Sequence, residues 1–161
     1  MVLCSLFAAL TAICAWISLP LPPVAFTMQT FAVLLTLGIL GGKWGSMTIL
    51  LYLLLGIVGL PVFAGFRGGA ACLLDPAGGF LWGFLVCGLG YWAMEKLGRL
   101  PGMVGGMILC YLCGSWWFSV YAGTGLAAAA MVCVVPWLLP DGIKLALAYA
   151  MAKQIGRSVK L

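Results

Sequence analysis

The chain has 161 residues, 65% of them hydrophobic and 7% charged, with a net charge of +5 and a mean hydropathy of +1.22. An ordinary soluble domain is about a quarter charged, so a chain this apolar cannot hide its surface from water, and a lipid bilayer must be its solvent. The basic residues are scattered, most of them through short connections, which argues against a nucleic-acid partner and for a role in setting topology.

In chain order, the apolar runs predict an all-α, polytopic membrane protein: one integral-membrane domain over 1–161 with six transmembrane helices. Met1–Leu19 is the first span; it lacks the basic start and the small-residue cleavage site of a signal peptide and is expected to be retained. Pro20, Pro22 and Pro23 end it, because proline cannot continue the hydrogen-bond ladder. Phe26–Leu40 and Trp44–Leu60 are the second and third spans, separated by a tight turn at Gly41-Gly42-Lys43. Pro61–Pro76 is a glycine-rich outer connection between helices three and four. Gly78–Met94 is the fourth span, closed by Glu95, Lys96 and Arg99, and Met103–Tyr121 is the fifth. Gly125–Val135 is apolar but only eleven residues long, short of the ~17–20 that a crossing needs. It is expected to be a half-buried segment leading into the sixth span, Pro136–Ala152.

The basic residues orient these spans. With a cytoplasmic N-terminus, Lys43, Lys96, Arg99, Lys153, Arg157 and Lys160 fall inside, Arg67 alone falls outside, and Lys144 lies within the membrane. That distribution obeys the positive-inside rule and predicts a multi-pass protein of the cell membrane with both termini cytoplasmic. Gly38–Gly42, Gly79–Gly83 and Gly102–Gly106 each form GxxxG, and Ala8–Ala12 is the small-xxx-small equivalent. Such faces let helices approach closely, inside one bundle or against a partner.

Asp141 and Lys144, three residues apart in the sixth span, stand out in this apolar chain. Their spacing puts both side chains on one helix face, ~7.5 Å and one further turn below the outer end of the helix. A charge at the bilayer centre costs ~3 kcal/mol on insertion scales, so the pair faces a protein interior or a ligand. It is either a self-neutralising ion pair that fixes helix register or a binding site for something polar, with Arg67 on the same side. No Walker A motif, GxSxG, histidine or acidic cluster is present, and nothing marks a cofactor or metal site. Cys110 and Cys113 form a CxxC without a second ligand pair, and most of the seven cysteines read as small hydrophobes. A binder or transporter is favoured over an enzyme.

The segments Gly56-Ile-Val-Gly59-Leu-Pro61-Val-Phe63-Ala-Gly65, Gly68-Gly69 and Pro76-Ala-Gly78-Gly79-Phe80-Leu-Trp-Gly83-Phe84 resemble the BioY family, the biotin-binding S components of energy-coupling-factor (ECF) transporters. Phe26-Thr27-Met28-Gln29-Thr30 and Pro136-Trp-Leu-Leu-Pro140-Asp141-Gly-Ile-Lys144 extend the resemblance over nearly the whole chain. Two stretches depart from the family's habit: Pro76–Phe80 lacks the threonine and tyrosine of Pro-Thr-Gly-Gly-Tyr, and Phe63–Arg67 replaces Phe-x-Gly-Gly.

The resemblance implies a six-helix fold with a biotin pocket near the outer face, and partners in a transmembrane T subunit and two ABC-type ATPases. Ala8 and Ala12 match the pattern used to dock on the T subunit. In such a site Asp141 would accept from the ureido N–H groups and Lys144 would donate to the ureido carbonyl. Phe63, Phe80, Trp82, Trp116 and Trp117 are candidate walls, with Gly79 beside Phe80, and Gln29 and Thr27 are further hydrogen-bonding candidates. Arg67 would balance the ligand carboxylate, since these two charges with Asp141 and Lys144 sum to zero. The loop before Pro76 would serve as a lid. A stand-alone carrier for biotin or another small carboxylate, and a membrane scaffold held by its ion pair, are the competing readings.

The orientation is checked by substituted-cysteine labelling near residues 2 and 160 in intact cells. Neither position is expected to react with an impermeant reagent added outside.

Overall fold

The computed structural model describes residues 2–21 and 24–158, with the side chains of 157 and 158 left aside. Pro22, Pro23 and Lys160, and the side chain of Arg157, lie outside what is described. Helix α1 spans Val2–Trp16, α2 Gln29–Ile57, α3 Gly78–Met94, α4 Arg99–Ala122, α5 Leu126–Cys133 and α6 Leu138–Ser158. Two short antiparallel strands, β1 (Ser18–Leu19) and β2 (Phe26–Thr27), pair Ser18 with Thr27 and Leu19 with Phe26 between α1 and α2. Three stretches, Gln29–Ile57, Arg99–Ala122 and Leu126–Gly156, are long and apolar enough to cross a membrane, and Val2–Trp16 is a shorter apolar helix.

The longest helix is not straight. Gly41 sits at φ 77°, ψ 176°, outside helical space, a conformation that favours glycine. Gln29 Nε2 lies 2.7 Å from Tyr52 Oη, 23 residues on, whereas a continuous helix would hold those residues ~35 Å apart. Helix α2 is therefore two arms, 29–40 and 42–57, folded back on one another about Gly41. The expected spans Phe26–Leu40 and Trp44–Leu60 fall on these arms. The Glu95 carboxylate accepts from the Gly42 N–H at 3.1 Å, placing a negative charge at the positive start of the second arm.

Glycine closes the bundle. A Cβ on Gly83 would stand 2.9 Å from Cys110 Sγ, one on Gly106 2.7 Å from the Cys87 carbonyl, and one on Gly114 2.4 Å from the Phe80 ring. The motifs Gly79–Gly83 and Gly102–Gly106 thus form the seam between α3 and α4. Gly38 and Gly42 do the same against Met103 and Ala152 and against Trp92. All three GxxxG faces are used within the chain.

The face of α1 that carries Ala8 and Ala12, the pair expected to dock a partner, is also packed within the chain. Ala8 and Ala12 are 2% and 6% exposed and belong to the core that α1 shares with α2. Their small size lets α1 approach α2 closely. The outward strip of α1 carries Leu6, Ala9 and Ile13.

The two ends of the bundle differ. At one end the α1–α2, α2–α3 and α4–α6 connections gather: Trp16 Nε1 donates to the Pro61 carbonyl at 2.8 Å and Trp117 Nε1 to the Asp75 carbonyl at 2.9 Å. At the other end lie the Gly41 turn and Arg99, whose Nη1 donates to the Ala152 carbonyl at 3.0 Å. Helix α5 packs on α4, burying Ala129 and Cys133, and leads through a break at Val134 and a tight turn at Val135–Trp137 into α6. Pro140 is the third residue of α6, where no intrahelical N–H partner is needed.

Gly106→Ala is expected to lower the melting temperature in detergent, by the equivalent of ~1–3 kcal/mol of overpacking, because its Cβ would strike backbone. Gly125→Ala, with nothing within 4 Å and an ordinary φ of −66°, should melt like the unaltered protein.

Candidate ligand-binding site

A cavity opens at the end of the bundle where those connections gather. Its walls come from β2 and the start of α2, the loop between α2 and α3, the first turns of α3, the middle of α4 and the first turns of α6. Asp141 and Lys144, 5% and 4% exposed, form its polar floor. Lys144 Nζ donates to Asp141 Oδ1 at 2.6 Å and to the Thr27 carbonyl at 2.7 Å, and Tyr111 Oη donates to Asp141 Oδ2 at 2.8 Å. The ammonium also lies 3.9 Å from the centroid of the Phe26 ring, whose other neighbour is Trp137 at 5.5 Å. Asp141 stands in the first turn of α6, where the helix dipole favours an anion.

The hydrogen-bonding capacity left over defines what this floor can bind. An ammonium has three donors and a carboxylate about four acceptor sites. Lys144 uses two donors and Asp141 two acceptor sites within the protein. One donor therefore remains beside free acceptor positions, with the two charged groups 2.6 Å apart. A ligand edge presenting N–H next to C=O matches that arrangement.

The structure brings most of the expected residues to one cavity. Thr27, Gln29, Phe63, Arg67, Phe80, Asp141 and Lys144 all line it. Gln29 is 3% exposed and is held by Tyr52. Phe63 is 2% exposed, meets Tyr52 edge-on at 5.7 Å and stacks over Gly56, where a Cβ would lie 2.0 Å from its ring. Phe80 faces the cavity and packs on Gly114. Gly79 is not on the wall; its role is contact, since a Cβ there would meet Trp117 at 2.2 Å. Trp82 and Trp116 are 41% and 59% exposed and face away from the cavity, and Trp117 is held against Gly79 and Asp75.

Arg67 sits at the rim, paired with Asp75, both side chains being partly exposed. The neighbouring carboxylate raises the guanidinium pKa further, chiefly through that hydrogen bond. Asp75 changes the charge balance reached from the sequence: it already neutralises Arg67, so four protein charges sum to zero without a ligand. Asp75 carried little signal in the sequence, since the other fourteen positions of the 61–76 connection besides Arg67 are apolar, proline or glycine.

Tyr111, Phe84, Phe26 and Trp137 also line the cavity and were not singled out by sequence. Phe84 was within reach, four residues after Phe80 and so on the same helix face. Tyr111 carried no local signal, because its partner Asp141 is 30 residues away. Cys72, Cys87, Cys110 and Cys133 line the apolar part of the cavity, and among the described residues no group of side chains is arranged to hold a metal.

Comparison with known proteins agrees with this architecture. The BioY family matches residues 1–161. The chain is 39% identical over 155 residues to the biotin transporter BioY of Thermotoga maritima, covering 93% of this chain and 91% of that one. It is 38% identical over 157 residues to the probable biotin transporter BioY of Pyrococcus horikoshii, covering 95% and 93%. Its fold is similar to the crystal structure of the S-component for biotin from an ECF-type ABC transporter, with a TM-score of 0.88 at 25% identity over 96% of this chain and 88% of that chain. With the match running over its whole length and relatives this similar across nine-tenths of both sequences, the chain belongs to the BioY family.

Proposed function

We propose that this chain is the S component of an ECF transporter, a membrane subunit rather than an enzyme, that captures biotin from outside the cell. The observation that carries the reading is the unused hydrogen-bonding capacity of the buried Asp141–Lys144 pair. Along one edge of biotin's cyclic urea an N–H stands beside the carbonyl. The N–H donates to Asp141 and the carbonyl accepts from Lys144, both as charge-assisted bonds. The thioether ring then meets Phe63, Phe80, Phe84 and the cysteine-lined wall. The ligand's carboxylate extends to the rim, where Arg67 receives it. Arg67 is free to exchange partners because its bond to Asp75 is partly exposed and such a pair contributes only about 0–1 kcal/mol.

The excess of basic residues at the opposite end and in the tail supports a cavity that opens outward. Without a nucleotide-binding motif the chain depends on partners for energy, a T subunit and two ABC-type ATPases. The T subunit docks on the outward strip of α1 around Leu6, Ala9 and Ile13, the inward strip being closed by Ala8 and Ala12.

Removing either Asp141 or Lys144 alone leaves a buried unpaired charge, at a cost of ~3–5 kcal/mol. The double variant Asp141→Asn with Lys144→Met is expected to fold and to bind biotin ~100-fold or more weakly, two charge-assisted bonds of roughly 1.5–3 kcal/mol each being lost. Calorimetry in detergent, with melting curves as the control, reads both. Unchanged affinity in a well-folded double variant would leave the pair a purely structural one.

Coupling is tested on α1. Ala9→Trp should retain folding and biotin binding yet lose the T subunit in a pull-down, whereas Ala12→Trp should damage the fold itself. Biotin uptake without any co-purifying ATPase would favour the stand-alone carrier.

A further inference from the structure

The Asp141–Lys144 edge accounts for one N–H and the carbonyl of a cyclic urea. The second ring N–H, on the far side of the carbonyl, still needs an acceptor. A second polar arrangement on the same wall supplies one, and its polarity can be read from its hydrogen bonds.

Gln29 opens α2, two residues after Thr27, whose carbonyl receives Lys144. Its own N–H reaches Thr27 Oγ1 at 3.4 Å, and its Nε2 lies 2.7 Å from Tyr52 Oη. Tyr52 is fully buried on the second arm of α2, and its hydroxyl lies 2.9 Å from the Val62 carbonyl. The direction of these bonds is set from the far end. A backbone carbonyl only accepts, so the single hydroxyl proton of Tyr52 points at Val62. Toward Gln29 the hydroxyl can then only accept, so the amide must present its NH2 group there. A reversed amide would set oxygen against oxygen at 2.7 Å.

The amide carbonyl, Oε1, therefore turns away from Tyr52. Among the described residues no donor meets it. Nor is it sealed within the protein, because every fully occluded polar side-chain atom among those residues has a partner. The open space beside Gln29 is the cavity it lines. A side chain only 3% exposed thus turns an acceptor with no protein partner among the described residues toward the ligand site, where a ligand donor can meet it.

We propose that Tyr52 is a positioning residue: it fixes the polarity of the Gln29 amide so that the cavity offers a neutral acceptor to the second N–H of a cyclic urea. The inference rests on the reading of Asp141 and Lys144 as the floor for the first edge, and it adds a requirement that the floor alone does not impose. A cyclic carbamate, with ring oxygen in place of that N–H, would set its oxygen against Oε1. A site built to receive an N–H rejects an analogue that lacks it, because its own polar group is left unpaired.

The test is calorimetry in detergent with biotin and the two cyclic carbamate analogues in which one or the other ureido N–H is replaced by oxygen. Wild type should prefer biotin to both. Tyr52→Phe keeps the ring against Phe63 but frees the amide to turn its NH2 inward. Its preference for biotin over one analogue is expected to fall about tenfold, the worth of one neutral hydrogen bond. That analogue should also bind Tyr52→Phe more tightly than it binds wild type, while discrimination against the other analogue, read by Asp141, stays as it was. Gln29→Met should lose the same single discrimination by weakening biotin, and it carries the test if Tyr52→Phe does not fold.

Equal weakening of biotin and both analogues in the two variants would mean a merely structural role and would overturn the proposal. A wild type that binds biotin without preferring it to either analogue overturns this proposal and leaves the Asp141–Lys144 reading in place. A wild type that binds neither biotin nor its analogues overturns both.

Discussion

A buried ion pair in an apolar bundle constrains everything around it. Lys144 and Asp141 are each about 95% buried, and in hydrocarbon neither charge is tolerable alone. Mutual attraction at 2.6 Å does not by itself offset the loss of water; the remaining protons and lone pairs need partners as well. Those partners come from separate parts of the chain. Tyr111 comes from the middle of α4, the Thr27 carbonyl from the strand before α2, and the Phe26 ring lies against the ammonium. Satisfying one pair thus gathers α4, α6 and the start of α2 at one end of the bundle, and the cavity is the space these elements enclose.

The glycines make that gathering possible. Where α3 meets α4, backbone lies against backbone or against thiol at Gly83 and Gly106, and the close seam draws Phe80 and Tyr111 toward a common cavity. Lipid supplies no hydrophobic drive between helices, so this contact must come from packing itself. The same economy of size operates on α1, where Ala8 and Ala12 disappear into the core.

The sequence made one class of feature legible: residues whose chemistry is out of place locally. Asp141 and Lys144 stood out because they interrupt an apolar run and share a helix face. The Gly41 turn was visible as Gly-Gly-Lys between two apolar stretches. What was not legible depends on contact between distant segments. Tyr111 is an ordinary tyrosine until α6 places Asp141 against it, and Tyr52 until α2 folds back onto Gln29. Ala8 and Ala12 show a second limit. A small-xxx-small pattern declares that a face will be packed closely, but nothing in the four-residue spacing says whether the neighbour is the same chain or another.

Depth divides the charges of the cavity into two kinds. The Asp141–Lys144 pair is buried, is fixed by three hydrogen bonds, its own and those to Tyr111 and Thr27, and cannot rearrange without exposing a bare charge to an apolar wall. It can only offer the capacity it has left, which makes it selective for the shape of a ligand's donor–acceptor edge. The Arg67–Asp75 pair is at the rim, with side chains 58% and 33% exposed, where water replaces a lost partner at little cost. It can therefore be exchanged for a ligand carboxylate. In the proposed reading, a molecule with a neutral cyclic urea at one end and an anion at the other would meet the rigid pair at the floor and the exchangeable one at the mouth. Reversed, the same molecule would bring its carboxylate against Asp141 in the apolar interior, with one Lys144 donor to set against the repulsion and the loss of water. Under the proposed reading, the gradient of burial from Asp141 to Arg67 would set the orientation of such a ligand.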